Sequence, residues 1–204
     1  MNTNKSSQAR ASAFLNEEVN IALQNLDFCR KLCEIYQDYG RRNVRPKLTL
    51  QFDGGPIPKI ESGNGGIVAT PVIFTAIMNI RKFTAFFGFT GSLRRKTSKD
   101  ADDFDITTLG LPYPSFKEFI MASVSPSYNR QEFEDALRYL LRHANKMVGH
   151  FTMLAGDSNL FIDYRKLDVA CIGVSQTIKT LVYDALRLTH PNIQSAEMQD
   201  RSKS

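Results

Sequence analysis

Two histidines and several polar or cationic residues share one short stretch of the chain. His143 and His150 are seven residues apart, so on a helix, at about 100° per residue, they lie two turns apart on nearly the same face. Arg142, Asn145 and Lys146 lie around them. A neutral imidazole can accept the proton of a ribose 2′-hydroxyl, and a protonated imidazole can protonate the leaving oxygen. Cationic side chains stabilise charge on a phosphate, so this set suits RNA cleavage without a metal ion.

Arg138 and Tyr139 lie one turn earlier on the same face, and we assign them to RNA binding together with His143 and Lys146. The alternative is an ordinary solvated face, because any surface helix carries polar side chains opposite its apolar seam. Basic residues near the end of a helix also interact favourably with its macrodipole. The residue types alone leave both interpretations open.

Apolar residues at steps of three and four predict long amphipathic helices along most of the chain. Ser115 with Glu118, and Asn129 with Glu132, have capping-box spacing, and Asp163 can cap the last helix. The predicted helices cover about residues 7–39, 71–88, 115–124, 130–154 and 164–188. We therefore predict a mainly α fold, a helical bundle of four to five helices with a small β-hairpin or ordered loop insertion.

The chain has 204 residues, enough for one domain with its own core, and we place that domain at residues 7–190. The other segments are predicted from turn residues, polarity and charge. They are a disordered N-terminus at 1–6, a hairpin or loop insertion at 47–70, a mobile charged loop at 91–112 and a polar C-terminal tail at 191–204. A nucleic-acid contact by the basic half of the charged loop is a less favoured interpretation of that segment.

The charge, the cysteine content and the distribution of apolar residues limit the class of protein and its partners. The net charge of +5 makes an acidic partner such as RNA plausible. The three cysteines form no regular framework, and we predict that they are buried reduced thiols rather than metal ligands. Neither a signal peptide nor an apolar run of membrane-spanning length is present, so we predict a cytoplasmic protein without a membrane partner. We predict no metal and no cofactor.

Residues 142–151, Arg-His-Ala-Asn-Lys-Met-Val-Gly-His-Phe, resemble the signature of the HEPN superfamily, especially its abortive-infection members. In that family an Arg precedes a polar residue, often Asn, and a His follows a few residues later. The segment from Asn145 to Phe151 fits the common form. Ala144 stands where the Arg is expected, and Arg142 lies two residues early. Arg138 with His143 is a second match in spacing, but it lacks the Asn-Lys context.

The resemblance implies a helical homodimer whose two motifs line a shared basic cleft. For active members it implies a metal-independent endoribonuclease of a defence or toxin–antitoxin system. On that reading His150 is the acid or base, and Arg142, Asn145 and Lys146 place the phosphate. The alternative is a non-catalytic helical interaction module with a degenerate HEPN fold, which regulates a partner such as a cognate antitoxin. Ala144 in place of the motif Arg favours this alternative.

Overall fold

Five helices dominate the computed structural model, which describes residues 11–42, 48–50, 60–62, 66–95, 104–149, 162–191 and 198–200. Side chains are described for residues 11–37, 69–95, 104–145 and 162–191. The helices are α1 (Asn20–Arg42), α2 (Gly66–Phe86), α3 (Phe116–Ala122), α4 (Arg130–Gly149) and α5 (Tyr164–Ile178). A π-helical turn, Phe14–Val19, leads into α1, and a second, Lys179–Asp184, extends α5. The predicted mainly α bundle is confirmed.

A small antiparallel sheet joins the insertion between α1 and α2 to the C-terminal segment. Its strands are β1 (Leu48–Leu50), β2 (Ile60–Ser62) and β3 (Met198–Asp200), in the order β2-β1-β3. Leu48 lies opposite Ser62 in one pair and opposite Asp200 in the other. The first pair agrees with the hairpin predicted within residues 47–70. The second pair involves part of the segment predicted as a polar tail.

The helix α5 lies at the centre of the bundle, in contact with α1, α2, α3 and α4. Gly173 permits the close approach of α4, because a Cβ at this position would lie 2.2 Å from the ring of Phe133. The core is rich in phenylalanine: Phe87, Phe119 and Phe133 are all less than 2% exposed. The seam predicted along the first helix is buried except at Tyr36, which is half-buried, and its buried members are Leu15, Val19, Ala22, Leu26, Cys29 and Cys33. The described part of the seam predicted for α4, Phe133, Leu137, Leu140 and Ala144, is buried.

Side-chain caps begin α3, α4 and α5 at the predicted residues. The Ser115 hydroxyl accepts a hydrogen bond from the Glu118 amide at 3.2 Å, and the Asp163 carboxylate accepts from two amides of the first turn of α5. These side chains satisfy amide groups that have no partner within the helix.

Two predicted helix bounds are wrong. The helix α2 begins at Gly66 rather than at Pro71, which lies inside it. Ala69 is buried four residues before the buried Ile73, so the apolar seam is one turn longer. This burial offsets the free energy lost because Pro71 cannot donate a backbone hydrogen bond. The last helix was predicted to extend to residue 188, but α5 ends at Ile178 and its π-helical extension at Asp184, and Ala185 and Leu188 are exposed.

The π-helical turn at the end of α5 explains the second error. A π-helix has more residues per turn than an α-helix, so the buried face advances along the chain. Val182 and Tyr183 are buried in consequence. The chain then leaves the helix at Arg187, which has a positive φ of 56°.

Candidate nucleic-acid interface

The helix α4 carries most of the predicted site, and its start is fixed by a reciprocal cap. The Asn129 side-chain oxygen accepts from the Glu132 amide at 3.0 Å, and the Glu132 carboxylate accepts from the Asn129 amide at 2.8 Å. The apolar side of the helix faces the core, where Phe133, Leu137 and Ala144 are all 0% exposed. Burial of this seam leaves the opposite, polar side of α4 towards solvent.

Arg142 and Asn145 are exposed on the polar side of α4. Among the described residues, Arg142 has no ion-pair partner, so its charge is available to an external anion. Asn145 lies against the loop that follows α2: a Cβ built on Gly91 would be 2.9 Å from the Asn145 side-chain nitrogen. The side chain of Lys146 lies outside the described residues, and so does all of His150.

His143 is held by Tyr139, one turn earlier. The two rings lie 4.2 Å apart, and the His143 Nδ1 atom is 3.0 Å from the Tyr139 backbone oxygen. A carbonyl oxygen can only accept, so Nδ1 carries the proton in this hydrogen bond. The lone pair of the neutral imidazole is therefore on Nε2, where it can accept a proton from a ligand.

Tyr139 and Arg138 also take part in contacts within the fold. The Tyr139 hydroxyl accepts from the Asp163 amide at 3.1 Å, and the Lys166 ammonium lies 4.7 Å from the centre of its ring. Arg138 donates from Nε and from one terminal nitrogen to a single Glu134 oxygen, at 3.0 and 2.7 Å. The Glu134 carboxylate offsets the positive charge of Arg138. Arg142 therefore attracts an external anion more strongly than Arg138 does.

The loop from Phe89 to Arg95, here named the basic loop, is ordered. Phe89 and Arg95 form an antiparallel bridge, and the Thr90 amide donates to the Arg94 oxygen at 2.7 Å. Leu93 is only 7% exposed even though its φ is 60°. A buried leucine and a backbone bridge thus hold the first residues of the segment 91–112, whose mobility stays a prediction.

Arg95 fastens the basic loop to the segment before α3. Its guanidinium donates to the Phe87 and Pro114 backbone oxygens at 3.2 and 2.7 Å. The same group lies 5.0 Å from the ring centres of both Phe89 and Tyr113. No carboxylate takes part in these contacts, so they orient the guanidinium without neutralising its charge.

The far end of the predicted mobile loop is also packed. The Asp105 carboxylate caps the 3₁₀ helix Ile106–Leu109 and accepts hydrogen bonds from the hydroxyls of Thr107 and Tyr113. Asp105 is 4% exposed and Ile106 is 2% exposed. Tyr113 thus connects Asp105 to Arg95, and through it to the basic loop. Residues 96–103 lie outside the described residues.

The contact between Asn145 and Gly91 brings the described part of α4 against the basic loop. Exposed polar residues therefore lie on neighbouring elements, Arg142 and Asn145 on the helix and Arg94 and Arg95 on the loop. Arg94 is exposed, and none of the hydrogen bonds around it neutralises its side chain. Both basic segments are evident in the sequence, but nothing in their spacing indicates the contact at Gly91 that brings them together.

A separate cluster of buried titratable groups lies between α1 and α5. Cys29, Cys33 and Cys171 are free and buried, as predicted. Hydrogen bonding to Cys29 and burial raise the pKa of Cys33 and Cys171, so both thiols are neutral at physiological pH. Burial also raises the pKa of Asp168 to about 6, although the nearby Arg30 and Arg165 act to lower it. Asp168 has no distinguishing signal in the sequence, because only the fold shows that it is buried.

The described side chains include no group of three or more His, Cys, Asp or Glu placed to hold a metal ion. No helix of the described chain combines the length and apolar character needed to cross a membrane. The chain matches no protein-family model, and comparisons with curated proteins and with solved structures also give no match.

Proposed function

We propose that this protein binds RNA on the surface formed by the polar side of α4 and the basic loop. The contact between Asn145 and Gly91 is the observation that supports this proposal most strongly. It brings onto neighbouring elements two exposed arginines, Arg94 and Arg142, which have no carboxylate partner among the described residues. Two such groups on one surface can bind successive phosphates of a nucleic-acid strand.

We propose further that the protein cleaves the bound RNA without a metal ion, as the HEPN resemblance implies. The Nε2 atom of His143 can accept the proton of a ribose 2′-hydroxyl, because Nδ1 is engaged with the Tyr139 carbonyl. His150 is assigned to protonate the leaving oxygen. Arg142 is assigned to stabilise the negative charge on the phosphate in the transition state.

A non-catalytic module with a degenerate HEPN fold is the second candidate function, and Ala144 favours it. This residue is 0% exposed in the core seam of α4. An arginine at this position would be buried, so the motif position of the resembling family is not available here for phosphate contact. In this second candidate the protein is a helical interaction module, and a cognate antitoxin or another regulatory protein is its partner.

Both candidates include a homodimer, in which the α4 surfaces of two copies line one cleft. Light scattering coupled to size-exclusion chromatography measures the mass in solution directly. A mass of twice 23.0 kDa is the expected result. A monomer at concentrations where RNA is bound would exclude the shared cleft and leave RNA binding to the single surface.

Cleavage is tested by incubating a labelled single-stranded RNA with the purified protein in EDTA. The enzyme proposal predicts product with the wild-type protein and a loss of at least about a hundredfold in rate for His150→Ala and for His143→Ala. His190→Ala is the matched control, since His190 pairs with Asp184 beyond α5 and belongs neither to α4 nor to the basic loop. Retained RNA binding without product from the wild-type protein would establish the non-catalytic candidate instead.

Binding is tested separately, by fluorescence anisotropy at low salt. Arg142→Ala is expected to weaken RNA binding about fivefold to tenfold, since one charged hydrogen bond to phosphate is lost. Arg130→Ala is the control on the same helix: Arg130 is exposed and lies about 18 Å from Arg142 along the helix axis. Equal losses for the two variants would show that only the overall charge matters, and the proposed surface would be wrong.

A further inference from the structure

A cavity of about 250 Å³ lies between the first π-helical turn and the C-terminal end of α2. Its walls are four phenylalanines, Phe14, Phe83, Phe86 and Phe104. The rings of Phe14 and Phe104 are 4.2 Å apart, and those of Phe14 and Phe86 are stacked at 5.4 Å. This volume is somewhat below that of a pocket for a drug-sized ligand, so it fits a single ring or a short branched chain.

The rim of this cavity, which we name the phenylalanine pocket, is acidic. Glu18 forms an ion pair with Lys82, with a nitrogen-to-oxygen distance of 2.5 Å. Glu17 is exposed and has no ion-pair partner among the described residues. The pair cancels its own charge, so the rim carries about one negative charge, on Glu17. An apolar wall beside one free carboxylate favours a ligand with an apolar body and a positive end.

The backbone at the pocket is consistent with a ligand site. Phe14, Glu17 and Glu18 all belong to the π-helical turn Phe14–Val19, and all three line the cavity. Single π-helical turns within α-helices are rare and are frequent at functional sites. Here the turn buries Phe14, Leu15 and Val19 while its two carboxylates stay at the rim.

The C-terminal end of α2, which carries Lys82 and Phe86, favours a cation through its helix dipole. An anionic ligand would meet Glu17 and would have to open the pair between Lys82 and Glu18.

We propose that the phenylalanine pocket binds a small organic ammonium ion whose apolar part is an aromatic ring or a branched alkyl group. The apolar part lies against Phe14, Phe86 and Phe104, and the ammonium group lies at the rim beside Glu17. The site does not depend on RNA binding, since none of its residues belongs to α4 or to the basic loop.

The test uses three probes of one shape: 2-phenylethylammonium, neutral 2-phenylethanol and anionic 3-phenylpropanoate. Saturable binding is measured by titration calorimetry and by ligand-observed NMR. We expect the ammonium to bind about tenfold more tightly than the alcohol, and the carboxylate to bind most weakly, because an ion pair and a cation–π contact each contribute several-fold. Equal affinity for the ammonium and the alcohol, or no saturable binding of the ammonium, would overturn the proposal.

Two variants place the ligand in this pocket. Glu17→Gln should weaken binding of the ammonium probe about threefold to fivefold and leave the affinity for the alcohol unchanged, since the substitution removes the charge but keeps the shape of the side chain. Asp135→Asn on α4 is the control for loss of an exposed carboxylate, and it should change neither affinity. Phe104→Leu should weaken both probes, and Phe104 is only half-buried, so the fold tolerates the change. If Glu17→Gln and Asp135→Asn behave alike, the ammonium is bound elsewhere and the proposal fails.

Discussion

Gly88 and Gly110 share a positive φ, 84° and 78°, but they differ in their surroundings. A Cβ on Gly88 would lie 2.6 Å from the Tyr113 ring and 2.8 Å from an Arg95 nitrogen. A Cβ on Gly110 would have nothing within 4 Å. The first glycine therefore supplies both backbone freedom and space, and the second supplies backbone freedom alone.

Alanine at each position separates these two contributions. Gly110→Ala is expected to lower the free energy of unfolding by about 1 kcal/mol, the cost of a positive φ for an L residue. Gly88→Ala is expected to lower it by about 2 kcal/mol more, because Tyr113 and Arg95 must move. Urea unfolding followed by circular dichroism measures both values. Equal losses would mean that the packing of Arg95 and Tyr113 around Gly88 is not as described.

Asp168 makes stability depend on pH in an unusual direction. The residue is 7% exposed, one of its carboxylate oxygens has no hydrogen-bond partner, and burial raises its pKa to about 6. The folded state therefore binds a proton more tightly than the unfolded state, whose pKa is near 3.8. The free energy of unfolding should fall as pH rises from about 4 to above 6, by up to about 3 kcal/mol.

Asp168→Asn removes the charge and keeps the shape, so it should remove most of this pH dependence. The variant is expected to be more stable than the wild-type protein at pH 8, and nearly equal to it at pH 4, where Asp168 is protonated when folded. Urea titrations at the two pH values give the comparison. A variant less stable than wild type at pH 8 would show that the attraction of Arg30 and Arg165 outweighs burial.

At the scale of elements, the caps are what the sequence predicts best. Asn129 and Glu132 form reciprocal hydrogen bonds at the start of α4. Asn129→Ala should lower the free energy of unfolding by about 1 kcal/mol, the usual loss for an N-cap residue. Gln131→Ala is the control in the same turn, since it removes only an exposed hydrogen bond to Asp135 and should change stability by less than about 0.5 kcal/mol. Similar values for both would contradict the cap.

Seams and caps were predictable because they depend on neighbours within one or two turns. The start of α2 and the end of α5 were not, because tertiary burial decides them. Ala69 is buried ahead of Pro71, and the π-helical turn after α5 buries Val182 and Tyr183. Each of these helix bounds depends on the surface that packs against the helix, and the spacing of nearby residues carries no information about that surface.

The packed ends of the charged loop show the same distinction between local sequence patterns and tertiary contacts. Leu93 and Ile106 flank a run of charged residues that is typical of a solvated segment. Tyr113 contacts Arg95 near the first end of this run and binds Asp105 near its second end. Contacts between residues so far apart in sequence leave no periodic signal.

At the scale of the whole molecule, the bundle architecture was predictable and the candidate interface only in part. The helical spacing placed Arg142, Asn145 and His143 on one side of α4, and the structure keeps them there. The inclusion of Arg94 and Arg95 in the candidate interface depends on where α2 ends and on the contact at Gly91. The two histidines were predicted to share a face, and because His150 lies outside the described residues, that remains a prediction.

The central claim, that one surface carries phosphate contacts from both α4 and the basic loop, is tested most directly by the salt dependence of RNA binding. The slope of log K against log salt reports the number of phosphate contacts, about 0.7 for each on a single strand. We predict that Arg94→Ala and Arg142→Ala each lower the slope by about 0.7, that the double variant lowers it by about twice as much, and that Arg130→Ala leaves it unchanged. A slope unaffected by either single variant, or affected as much by Arg130→Ala, would contradict the claim.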